Sequence, residues 1–128
     1  MIETARLFIV LGALNAFLAV LLGAFGAHAL KARLAADMMP VFHTGNQYHF
    51  YHALGLLLVG LIALQLPGST LLRGSGWLML AGIVLFSGSL YILAISGVRW
   101  LGAITPFGGM AFLIAWLMLA YAVLKSSP

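Results

Sequence analysis

No cysteine occurs in this 128-residue chain. Disulfides, iron–sulfur clusters, thiolate metal sites and cysteine nucleophiles are thereby excluded, and cysteine usage says nothing of redox compartment. Acidic residues are almost as scarce: Glu3 and Asp37 stand against Arg6, Lys31, Arg33, Arg73, Arg99 and Lys125. Charged residues make up 6% of the chain, where a water-soluble domain carries about a quarter. None of them falls inside the apolar runs Leu7 to Leu30, Phe50 to Leu66, Trp77 to Ile95 and Leu101 to Leu124. With no intramembrane carboxylate to carry protons or sodium, an ion-coupled transporter is not indicated. A glycine-rich phosphate loop, a Gly-x-Ser-x-Gly nucleophile elbow and a His-Glu-x-x-His zinc motif are missing too. The expectation is a protein that is not an enzyme and holds no cofactor.

What the chain has is hydrophobic length. Apolar residues are 64% of it, and each run approaches the ~20 residues that carry an α-helix across ~30 Å of hydrocarbon. Four such helices would leave too little polar surface to face water, so the bilayer is the solvent. The six cations sit singly or as one pair at turns and ends, which suits lipid headgroups, and no basic stripe with interleaved aromatics points to nucleic acid. The first run is too long for a signal-peptide core and follows a segment containing Glu3, so it reads as an uncleaved helix despite the small residues Ala27 and Ala29 around His28.

The connections are short, which predicts an all-α membrane protein. Four antiparallel transmembrane helices form one bundle and one domain over 1–128, with helices near 5–30, 46–66, 74–96 and 101–124. Thr44-Gly45-Asn46-Gln47 fits a capping box for the second helix. Thr105-Pro106 fits an N-cap followed by proline, which leaves Val98 to Ile104 irregular; the rival is a continuous helix from Leu101 kinked at Pro106. Small residues recur at close-packing spacing: Gly12 and Ala16, Ala19 and Gly23, Gly82, Gly88, Gly102, Gly108, Ala111 and Ala115. They serve packing within one copy or a homo-oligomer, and the spacing does not choose between the two.

The up-down path gathers most polar residues at one membrane face, among them His28, Lys31, Asp37, His43, Asn46, Tyr48, His49, His52, Arg99 and Thr105. Tyr48 and His52 are four apart and share a helix face. A ligand site there would be lined by His28, Tyr48, His52, Arg99 and Thr105, with Arg99 and the helix start at Thr105 drawing an anionic group. Met38, Met39 and Phe42 would serve as adaptable apolar contacts. The structural alternative has these groups tying helix ends together. A metal would need more ligands than two imidazoles and Asp37, the one carboxylate on that face, so no metal is expected. Asn15, Ser87, Ser89 and Tyr91 read as bridges between helices.

Gly23-Ala24-Phe25-Gly26-Ala27-His28, Thr44-Gly45 with Tyr48 and His52, Phe86-Ser87-Gly88-Ser89-Leu90-Tyr91 and Thr105-Pro106-Phe107-Gly108-Gly109 follow one another along almost the whole chain. Together they resemble the domain of unknown function 423 family, the YgdD-like small membrane proteins. The resemblance implies a four-helix protein of the bacterial inner membrane and supplies no activity; His43 and His49 stand outside its pattern.

Cations divide three against three between the two faces, so the positive-inside rule is silent. The amine of Met1 and the position of Asp37 favour both termini in the cytoplasm. The leading functional expectation is a non-enzymatic scaffold or accessory component that packs against itself or other membrane proteins. The alternative is a binder or carrier of a lipid or small amphiphile at the polar face.

Overall fold

A computed structural model describes residues 2–126; the Met1 amine and Ser127 of the terminal tail lie outside that range. Four helices are long and apolar enough to cross a membrane: α1, Glu3–Leu30; α2, Met39–Gln65; α3, Thr70–Ser96; and α4, Thr105–Leu124, preceded by a 3-10 turn, Arg99–Ala103. Among the described residues there is no strand.

The helix boundaries follow local chemistry. α2 begins at Met39, not near Asn46, because Pro40 fits the first helical turn, where no N–H is needed. Thr44 to Gln47 therefore lie inside the helix, and the capping box expected there does not form. α3 begins at Thr70 because the Ser69 hydroxyl accepts a hydrogen bond from the Leu72 N–H at 3.1 Å. It ends at Gly97, whose φ of 75° places it in the left-handed region while its N–H donates to the Leu93 carbonyl at 2.8 Å. α4 starts at Thr105 with Pro106 in its first turn, but the threonine does not cap it. α3 comes close enough here that the Thr105 hydroxyl pairs with that of Ser89 at 2.6 Å.

The bundle rests on backbone approach at small residues. A methyl group on Gly12 would meet the backbone of Ala53 and Leu57, and one on Gly60 that of Ala5 and Ile9. Positions rise along α1 as their partners fall along α2, so this pair is antiparallel. α3 and α4 repeat the pattern: Gly108 lies on the Phe86 backbone, Gly82 on Phe112, and Ser75 donates to the Ala115 carbonyl at 2.9 Å. In lipid, where no hydrophobic force drives helices together, such close approach supplies the attraction. The small residues that suggested oligomerisation are thus largely engaged inside one copy; Gly88 and Gly102 are looser, where a Cβ would meet only the Ile83 carbonyl at 3.9 Å and Leu93 at 4.0 Å.

Helices adjacent in sequence pack most extensively, α1 on α2, α2 on α3 and α3 on α4. The staggered row leaves a groove between α1 and α3 and another between α2 and α4. One core cluster, with Phe8, Leu56, Val59, Leu72, Met79 and Ala115, fills the half of the bundle nearest the termini. A second, with Met38, Phe42, Leu90, Leu93 and Ala94, fills the half nearest the polar face. Met38 and Phe42 are therefore core, buried by the turn that folds back under α2, and not ligand contacts.

Two neighbouring glycines separate backbone approach from open space. Gly108→Ala forces a Cβ into the Phe86 backbone and should cost about 1–3 kcal/mol in reversible unfolding from detergent. At Gly109 the Cβ would meet only the Phe86 ring, at 3.8 Å, so Gly109→Ala should leave stability unchanged or raise it by up to ~1 kcal/mol through helix propensity. Equal effects at the two positions would contradict the packing described.

Candidate functional site

The two buried histidines of α2, one turn apart, each centre an assembly of polar side chains in the membrane interior, one directed to α1 and α3 and the other to α4. In the first, His49 lies 4% exposed with a partner on each ring nitrogen: Nε2 at 2.9 Å from Asn15 Oδ1 on α1, and Nδ1 at 2.8 Å from the Tyr91 hydroxyl on α3. An amide oxygen only accepts, so Nε2 carries the proton and Nδ1 takes that of Tyr91. Tyr91 in turn accepts from Asn46 Nδ2 at 3.2 Å, and the same amide donates to the Ala19 carbonyl at 2.8 Å. Asn15 completes the run by donating to the Leu11 carbonyl, also at 2.8 Å. The hydrogen bonds run in one direction through three helices, from Asn46 through Tyr91 and His49 to Asn15.

Widened turns of π-helix adjoin this assembly, Leu21–Gly26 in α1 and Ile83–Gly88 in α3. Such turns release backbone carbonyls from the regular ladder. Next to the first, Asn46 takes the Ala19 carbonyl; within the second, the Ser89 hydroxyl donates to the Phe86 carbonyl at 3.0 Å.

The second assembly centres on His52, also 4% exposed. Nε2 accepts from the Trp116 indole N–H at 2.9 Å and Nδ1 lies 2.7 Å from the Tyr48 carbonyl. Indole only donates and a carbonyl only accepts, so the ring is held as the neutral Nδ1–H tautomer. Its face stacks on Phe112 with centroids 3.5 Å apart. Among the described residues this is the one side-chain hydrogen bond between α2 and α4. Around it runs a groove of about 680 Å³, lined by Tyr48, Tyr51, Phe86, Met110, Phe112 and Trp116, with Pro106 and Gly109 at its floor. The Tyr48 and Tyr51 rings are exposed along it.

The five residues expected to line one site do not converge. Tyr48 and His52 line the aromatic groove together. Thr105 is adjacent to it, with its hydroxyl engaged by Ser89. Arg99 lies at the membrane surface in an exposed ion pair with Asp37, 3.1 Å long; it joins the α1–α2 turn to the 3-10 turn and is worth little in water. His28 is exposed on the last turn of α1 and lines neither assembly. At the start of α4 the Phe107 N–H donates to the Ile104 carbonyl at 3.1 Å, so the 3-10 turn already takes a group that an anion would use. Trp116 and Phe112, which complete the His52 environment, are not legible in the sequence, because apolar aromatics in a membrane helix carry no signal of their partners. His49 was set aside although its spacing of three from Asn46 put both on one helix face.

A family model described as "Protein of unknown function (DUF423)" matches residues 22–109. The chain is 56% identical over 120 residues to the UPF0382 membrane protein YwdK of Bacillus subtilis, covering 94% of this chain and 98% of that protein. It is 52% identical to the UPF0382 membrane protein SERP0230 of Staphylococcus epidermidis, covering 94% and 97%. A third relative, UPF0382 membrane protein SSP2132 of Staphylococcus saprophyticus, is 49% identical over 94% of this chain and 98% of its own. No solved structure matches.

The two histidines named from sequence should part in mutagenesis. His52→Ala strands the Trp116 N–H and empties the space against Phe112, and should cost about 2–4 kcal/mol. His28→Ala, at an exposed position, should stay within ~0.5 kcal/mol. Thermal unfolding in detergent measures both; similar losses would contradict the placement of His52.

Proposed function

The chain belongs to the DUF423 family, and on that premise we propose that it is a small protein of the bacterial cytoplasmic membrane that binds an amphiphile in the groove between α2 and α4. The groove itself carries this reading: about 680 Å³ of lipid-facing space, walled by aromatic rings, with hydroxyls only at Tyr48 and Tyr51. Ligand pockets have this size and this sparse polarity. Rings offer apolar contact at little entropic cost, and the Tyr48 hydroxyl would orient one polar group of the ligand.

We read the chain as a binder and not a catalyst because His52, the imidazole on the groove wall, has both nitrogens engaged. A general base needs a free nitrogen within reach of its substrate. The other reading, a scaffold or accessory component, drew on small-residue faces, and those at Gly12, Gly60, Gly82 and Gly108 are covered within one copy. It also leaves the groove unexplained.

The test uses Gly109, which lines the groove and has ordinary room for a Cβ. Purified in mild detergent, the unmodified chain should retain a stoichiometric amphiphile in native mass spectrometry. Gly109→Leu should lose it while melting at about the same temperature. Full retention by that variant would remove the ligand from this groove, and a protein partner retained in its place would favour the scaffold.

A further inference from the structure

Adjacent to the groove between α2 and α4 and meeting it at Tyr51, a second groove of about 490 Å³ faces α1, lined by His43, Asn46, Gln47 and Tyr51 of α2 and by Ala19 and Gly23 of α1, among others. We propose that it is a second lipid site, specific for an uncharged glycerolipid with a free hydroxyl, the diacylglycerol class.

Depth makes the groove unusual. α2 has 27 residues, about 40 Å at 1.5 Å per residue, some 10 Å more than the hydrocarbon core. With the excess shared between the two ends, His43 stands at the hydrocarbon boundary, Gln47 about 6 Å beneath it and Tyr51 about 12 Å beneath it. The three are four residues apart, share one face and are all exposed. Farther down, the exposed residues of α2 are Leu54, Leu58, Leu61 and Leu64, as lipid requires, until Gln65 at the helix end. Polar groups turned to hydrocarbon without partners are costly, so the upper stretch calls for a ligand with polar atoms at that depth.

The partner inventory defines the ligand. Gln47 Nε2 donates to the Tyr51 hydroxyl, which leaves Gln47 Oε1 as an acceptor and the Tyr51 O–H as a donor. Both Asn46 amide hydrogens are taken by Ala19 and Tyr91. Its Oδ1 accepts from no described residue and lies over Gly23, where any side chain would collide with it. The two amide oxygens are therefore open as acceptors, the Tyr51 O–H, the second Gln47 Nε2 hydrogen and the His43 imidazole supply further donors and an acceptor, and no Lys, Arg, Asp or Glu lines the groove. A free glycerol hydroxyl can donate to Asn46 or Gln47 while an ester carbonyl accepts from Tyr51. Diacylglycerol lacks a phosphate to hold its glycerol at the surface, so its hydroxyl reaches this depth. Phosphatidylcholine has no donor, and its phosphate would find no cation.

Native mass spectrometry with the unmodified chain in detergent, given 1,2-dioleoylglycerol, its 3-O-methyl ether or dioleoylphosphatidylcholine, tests the proposal. Dioleoylglycerol should occupy the chain about threefold better than the ether, the discrimination expected of one average intramembrane hydrogen bond. Gln47→Leu, which suits a lipid-facing position and should not disturb folding, should lower dioleoylglycerol occupancy by a similar factor, whereas Gly109→Leu, in the other groove, should not. Equal binding of the ether, undiminished binding by Gln47→Leu, or loss in Gly109→Leu would overturn the assignment. The comparison of lipids on the unmodified chain stands whether or not a variant folds.

Discussion

His49 sits between α1 and α3 with a hydrogen bond at each ring nitrogen, in a solvent that offers none. That constraint organises the upper half of the bundle. Lipid cannot satisfy Asn15, Asn46, His49 or Tyr91, so each must be satisfied by another helix or by a backbone carbonyl, and the donors and acceptors available close into one directed run. Measured singly, such contacts average under ~1 kcal/mol in membranes. Their effect on geometry is larger, because moving α1 or α3 away from α2 leaves several groups unpaired together.

The lower half is held differently, by backbone approach at Gly12 and Gly60 between α1 and α2 and by the fit of Phe8 against Gly76. Hydrogen bonds above and close packing below fix consecutive helices to one another, and alternate helices pack less extensively. The grooves are a consequence of this arrangement. Between α2 and α4 the gap is bridged by aromatic side chains with a single hydrogen bond among them, from Trp116 to His52. Where α1 meets α2, Gly23 keeps one wall low beside the Asn46 amide. The features that stabilise the bundle also set where a lipid can lie against it.

Four apolar runs uninterrupted by charge made the fold legible, because the bilayer imposes a length and a composition that few other structures share. Boundaries were less so. Thr44 has the local pattern of a cap and Pro40 that of a helix start; both are valid signals, and which one operates depends on whether Met38 and Phe42 find a core to enter. The candidate site was legible in part. Tyr48 and His52 meet because a spacing of four is a property of the helix. Arg99, Thr105 and His28 were joined to them through a shared membrane face, and a face fixes depth but not azimuth: at one depth, side chains on different helices can point away from each other. The partners of His49 and His52 lie 34, 42 and 64 residues away, and only the packing of whole helices brings them together.

The account stands on the claim that the buried histidine joins helices and does not merely occupy space. A double-mutant cycle of Asn15→Ala and His49→Ala, read by reversible unfolding in bicelles, tests this most directly. A coupling free energy of about 0.6 kcal/mol, the average of intramembrane hydrogen bonds, and no more than ~1.7 kcal/mol, is the predicted result. Additive losses from the two substitutions would contradict it, since they would mean that His49 does not join α2 to α1 through Asn15.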